Sequence, residues 1–342
     1  MISFENDYSE GAHYKLIKAL VETDMVQAPG YGTDPFCEEA KEKIRAEIGI
    51  SDADVFFLVG GTQTNQIAIS TMLKPGQGVL AAETGHINVH ESGAIEYTGH
   101  KVLTLPAHDG GKVDPAEVLH FLKTFHGDVN NDHIVYPGML YITHPTEYGN
   151  VYRKAELQAL RAVCDEYNIP IYLDGARLGY GLMSRESDMT IRDIAELTDA
   201  FYIGGTKIGA LCGEALIFTK NNTPERFVAQ MKQHGALLAK GRLVGVQFRE
   251  LFTDDLYFKI SRNAIETAEM LKEVMHRKGI EFYYESPTNQ QFIILEDERM
   301  KELAKHVVFS FIEKLDDTHT VVRFCTSWAT KKENVAKLEE LL

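Results

Sequence analysis

Lys207 lies in the stretch FYIGGTKIGALCGEAL, residues 201–216, in a tight link between two apolar runs and beside Gly204, Gly205 and Gly209. A lysine needing only water would sit better on a helix face, whereas glycines let the backbone come close to something large. A second candidate is Asp174 in YLDGARLGYG, residues 172–181, at the end of an apolar run. A carboxylate at that depth is costly unless it meets a cation or several donors. It could pair with Arg177, three residues on, or face a protonated heterocycle. The third is LVGGTQTNQIAIS, residues 58–70, where two glycines lead into a helical pattern at Thr62. Free N–H groups at such a helix start suit a phosphate, although Gly-Gly-Thr can also be a plain turn with a cap.

A lysine, a carboxylate and a phosphate cradle, each at a strand end, together fit pyridoxal phosphate. The amine would form a Schiff base with the aldehyde, the acid would keep the ring nitrogen protonated, and the helix start would anchor the phosphate. In AAETGHINVHESGA, residues 81–94, His86 and His90 are four apart, but the glutamate of the zinc-protease pattern does not follow His86. No metal site is expected. Aromatic cover over a flat cofactor ring suits His86, the other reading being a loop imidazole satisfied by main chain.

These residues need a scaffold that brings strand ends together. Apolar runs at 54–60, 78–82, 101–106, 138–143, 169–174 and 200–205 alternate with helical patterns such as 114–125 and 154–168. The alternation predicts a largely parallel sheet covered by helices, with ligands at the carboxyl ends of its strands. After about residue 245 the rhythm changes to a long helix over 254–279, strand patterns at 281–286 and 290–296, another helix and a strand within 320–328. The expected division is a large α/β domain over 1–245 and a smaller α+β domain over 246–342, with no flexible linker.

The chain has 342 residues, 44% of them hydrophobic, ample for a large core. Its net charge of −15 carries no basic stripe, so neither nucleic acid nor an anionic membrane is an expected partner. The N-terminus has no signal-like segment, and four scattered cysteines fit reduced thiols, which together predict a cytoplasmic protein.

The sequence resembles the threonine aldolase branch of the fold-type I pyridoxal phosphate enzymes, grouped with the β-eliminating lyases. The likeness is carried by GYGTDPFCEEAKEKI (30–44), GGTQTNQIAI (60–69), ETGHINVHESGA (83–94), DGARL (174–178), GGTKIGALCGEALI (204–217) and VVRFCTSW (321–328). It implies an aspartate aminotransferase-like fold and retro-aldol cleavage of a β-hydroxy-α-amino acid, threonine or allo-threonine, to glycine and an aldehyde. It further implies that Lys207 is the Schiff-base lysine, that Asp174 partners the ring nitrogen, that Gly61 and Thr62 hold the phosphate, and that His86 stacks on the ring. Arg177 and Arg323 would clamp the substrate carboxylate, with Asn6 where the family has a serine. Where the family commonly has a histidine near the substrate hydroxyl, this sequence has Glu147, with His144 and Tyr148 nearby; either Glu147 replaces the imidazole or the hydroxyl proton leaves through His86 or a phosphate-bound water. The same cofactor could instead serve β-elimination, racemisation or transamination, or a regulator without turnover. A homodimer or homotetramer is implied, in which Tyr31, Lys232 and Lys240 could approach a neighbour's phosphate.

Overall fold

A computed structural model describes residues 1–342. Its strands in chain order are β1 (Ile2–Ser3), β2 (Asp54–Leu58), β3 (Gln77–Ala82), β4 (Val102–Leu105), β5 (Ala107–His108), β6 (Lys112–Val113), β7 (Tyr136–Thr143) and β8 (Ile171–Asp174), followed by β9 (Ala200–Gly204), β10 (Glu214–Phe218), β11 (Phe282–Tyr284), β12 (Gln290–Glu296), β13 (Val307–Val308), β14 (Ser310–Lys314) and β15 (His319–Cys325).

Runs such as IYLD and AFYIG are apolar at nearly every position and buried throughout. That pattern belongs to strands covered on both faces. They form a seven-stranded sheet in the order β2-β10-β9-β8-β7-β3-β4, parallel except for β10, which runs antiparallel to both of its neighbours. Successive side chains point to opposite faces. Ile171, Leu173, Phe201 and Ile203 thus join one apolar layer, and Tyr141, Tyr172, Tyr202 and Leu216 the other. The tyrosine face leads, two residues beyond Tyr172, to Asp174. The expectation of a mostly parallel sheet covered by helices holds, and its carboxyl edge collects the loops after β2, β3, β7, β8 and β9.

Local signals set the helix ends. Asp34 accepts from Cys37 N at 2.9 Å to start the helix Pro35–Ile48, and Gly49, at φ +77°, ends it. The helix Gly61–Met72 has no side-chain cap.

A third apolar cluster contains Phe4, Leu271, Met275, Ile293, Val322, Phe324 and Leu338, and covers the antiparallel sheet β11-β12-β15-β14. The helix Leu256–Arg277 spans both bodies, with Leu256 and Ile260 in the large layer and Leu271 and Met275 in the small cluster. Residues grouped with the large domain at the sequence level therefore behave differently at the N-terminus: β1 pairs in parallel with β13, and Phe4 packs in the small cluster. No helix is long and apolar enough to cross a membrane.

Candidate active site

A cavity of about 270 Å³ opens at the carboxyl edge of the large sheet, among Gly61, Thr62, His86, Glu147, Asp174 and Lys207. The ends of five strands and the segments that follow them supply these residues, and the shared strand direction brings them together.

Asp174 is 4% exposed. Its Oδ2 accepts from Tyr141 OH at 2.8 Å and Asn65 Nδ2 at 2.9 Å, and its Oδ1 from Ala176 N at 3.0 Å. Arg177 is not its partner. That guanidinium turns instead to Asp7, donating from Nε to Oδ2 at 2.6 Å and from Nη2 to Oδ1 at 3.1 Å. Burial pushes the Asp7 carboxyl up, but the Arg177 and Lys207 charges outweigh it and hold the group below its usual range. Of the two partners that sequence allowed for Asp174, the arginine is thus excluded.

Lys207 follows β9 by three residues, and its Nζ lies 5.9 Å from the centroid of the Tyr8 ring. Burial and the Arg177 charge pull its amine below the usual lysine value, against the pull of Asp7, Asp174 and Glu214. At the cavity's other side the uncapped start of the helix Gly61–Met72 leaves its first N–H groups free for an outside anion. A Cβ on Gly61 would come within 3.0 Å of Tyr202 Oη, so the close approach depends on glycine. A free anion cradle, a buried acid and a buried amine share one cavity; these residues fit pyridoxal phosphate.

The loop after β3 adds His86, whose Nδ1 lies 2.7 Å from Glu91 Oε1. Glu91 Oε1 also accepts from Asn65 Nδ2 at 2.8 Å, and the same nitrogen reaches Asp174. A continuous hydrogen-bond path therefore joins His86 to Asp174. The His86 main-chain N donates to Glu147 Oε1 at 2.7 Å, and Thr143 Oγ1 to Glu147 Oε2 at 3.1 Å. Burial pushes Glu147 up to about 7. Neighbouring His144 faces away from the cavity. It is fully buried, accepts from Tyr152 N at 3.3 Å, and burial pulls it down to about 4. Tyr148 packs on Tyr284 and Phe292 of the small body. Of the three, Glu147 alone lines the cavity.

The family model described as beta-eliminating lyase matches residues 15–298. The chain belongs to the beta-eliminating lyase family, in its threonine aldolase branch. A solved threonine aldolase of Leishmania major is 41% identical, with a TM-score of 0.96 and coverage of 100% of this chain and 98% of that one. A low specificity L-threonine aldolase from Pseudomonas sp. (strain NCIMB 10558) is 29% identical over 98% of this chain and 95% of its own length. One from Saccharomyces cerevisiae is 25% identical, covering 84% and 72%. An aspartate aminotransferase of Thermus thermophilus, at 16% identity and TM-score 0.70, shares the fold alone.

Two expected residues of this beta-eliminating lyase stand outside the cavity wall. Asn6 turns its Oδ1 back on its own loop, accepting from Tyr8 N and Ser9 Oγ at 2.9 Å each. Its neighbours Asp7 and Tyr8 reach the site instead, Asp7 through Arg177 and Tyr8 at the cavity itself. Arg323 is half-buried on β15, donating from Nη1 to Gln290 Oε1 at 3.0 Å and from Nη2 to Ser310 Oγ at 3.2 Å and Glu5 O at 3.3 Å. Sequence reasoning missed Glu91 and Glu214. Glu214 accepts from Gly205 N at 2.9 Å and Thr206 Oγ1 at 2.8 Å, and burial pushes it up to about 7. A charged residue opening an otherwise apolar strand, EALIF, was the available signal.

Proposed function

We propose that this lyase uses pyridoxal phosphate to cleave a β-hydroxy-α-amino acid, threonine or allo-threonine, into glycine and an aldehyde. The observation that carries the reading is the convergence of Lys207, Asp174 and the uncapped helix start at Gly61 on one cavity. When bound, the cofactor supplies an aldehyde for attachment of the amino acid and a protonated ring that withdraws electrons from Cα.

In this reading Lys207 would hold the cofactor through its amine, whose lowered pKa raises the neutral, nucleophilic fraction. Asp174, fixed by three donors, would pair with the ring nitrogen, and Gly61 and Thr62 would hold the phosphate. His86, anchored by Glu91, would cover the ring. Arg177 at the cavity wall, and Arg323 beside it, would orient the substrate carboxylate and so the bond to be broken. Glu147 takes the β-hydroxyl proton as the Cα–Cβ bond opens and the aldehyde leaves. A group poised near 7 suits that transfer at neutral pH.

The test is product analysis with threonine, allo-threonine, serine and cysteine. Glycine and acetaldehyde from either threonine are expected; pyruvate or oxobutyrate as the main product would replace cleavage by elimination. Borohydride treatment of the loaded protein should fix the cofactor on Lys207, and labelling elsewhere would remove the assignment. A homodimer or homotetramer in the cytoplasm completes the reading, its association supported by exposed Tyr14, Val21, Met25 and Tyr31.

A further inference from the structure

The segment SPTNQQ, residues 286–291, buries five polar side chains without exposure: Ser286, Thr288, Asn289, Gln290 and Gln291. Such burial is costly unless each group is hydrogen-bonded. Ser286 and Thr288 bond Gly149 O, and Gln291 Nε2 bonds the main chain of the turn itself. Asn289 and Gln290 do something else. Asn289 Nδ2 donates to Asp7 Oδ2 at 2.9 Å, and Asp7 holds both donors of the Arg177 fork. Gln290 Oε1 accepts from Arg323 Nη1 at 3.0 Å, while its Nε2 donates to Glu147 O at 3.3 Å. The two adjacent side chains, one at the end of a bend and one opening β12, thus reach Asp7 beside Arg177 and Arg323 itself.

The two arginines differ in charge balance. Arg177 is neutralised by a buried carboxylate. Arg323 meets only neutral acceptors, and its Nε is buried without a partner. A guanidinium with no carboxylate partner keeps its full charge for an incoming anion.

We infer that Asn289 and Gln290, at the entry to β12, are positioning residues that set Arg177 and Arg323 against one another and tie Arg323 to the Glu147 segment. Gln290 is kept neutral so that the charge of Arg323 stays available to the substrate carboxylate. The inference rests on the reading of both arginines as the carboxylate clamp.

Steady-state kinetics of the holoenzyme with threonine test it, using Gln290→Leu, Gln290→Glu, Arg323→Gln and the double variant Gln290→Glu/Arg323→Gln. Gln290→Glu keeps an acceptor for Arg323 but neutralises it, and KM should rise on the order of tenfold or more with kcat little changed. Gln290→Leu should raise KM less, since it removes the acceptor without adding charge. In the Arg323→Gln background the glutamate should add no further rise, because it acts through the arginine. Asn289→Ala should raise KM through Asp7 and Arg177. Unchanged KM in both Gln290 variants, with kcat and Tm lowered together, would reduce the segment to a domain junction and overturn the proposal. Independent, multiplying effects in the double variant would overturn it as well. Unchanged KM in Arg323→Gln alone would instead overturn the clamp assignment itself.

Discussion

Glu147 shows how burial gives a common side chain an unusual task. Its carboxyl is lifted from 4.5 to about 7 chiefly by burial, against the main-chain donors that favour its ionised form. If it is the proton acceptor, the rate should rise as pH climbs through about 7, and Glu147→Gln should lower kcat roughly 10²–10⁴-fold and flatten that limb in a pH–rate profile. The same shift has a consequence for stability. The folded chain binds the Glu147 proton more tightly than the unfolded one, so this contribution is complete below about pH 4.5 and is lost as pH rises through about 7. Glu147→Gln lacks that loss. Its Tm relative to the native chain should therefore be more favourable at pH 8 than at pH 5, and thermal melts at both values check it. At Lys207 an alanine should remove cleavage by several orders of magnitude, whereas Lys207→Arg should not restore it, because guanidinium is no nucleophile at neutral pH.

At the scale of elements, the site depends on how closely the ends of β8 and β9 approach. A Cβ on Gly175 would lie 2.0 Å from Tyr202 O, and one on Gly204 2.3 Å from Ala176 O. In both cases the obstacle is backbone, which cannot swing aside. Gly175→Ala and Gly204→Ala should each destabilise the protein by about 1–3 kcal/mol or more, and should weaken cofactor binding by moving Asp174 and Lys207 apart. Denaturant titration and cofactor absorbance measure the two effects separately. The uncapped start of the helix Gly61–Met72 behaves in the opposite sense. Gly61→Ala meets Tyr202 Oη at 3.0 Å, so cofactor affinity should fall more than stability.

For the whole molecule, the helix Leu256–Arg277 packs into both the large-sheet core and the small-sheet cluster, and Asp7 links Arg177 to Asn289. Lys232 Nζ lies 4.7 Å from the ring of the exposed Tyr31, among surface apolar groups. If this face joins two copies, sedimentation should give at least a dimer, and Lys232→Glu should shift it toward monomer or weaken cofactor retention. The sequence by itself determined the alternating strands, the strand ends near Asp174 and Lys207, and, to within one residue, the helix start that it put at Thr62 and the fold puts at Gly61, because apolar runs and glycines act through local geometry. It also carried the family through short motifs that survive without tertiary context. Which groups pair with which was decided only in the folded chain. Arg177 takes Asp7, 170 positions away, and not the nearby Asp174. Glu91 holds His86, and Gln290 joins Arg323 to the Glu147 loop. Such partners are chosen by how sheet faces and two bodies come together, and no spacing along the chain records that distance.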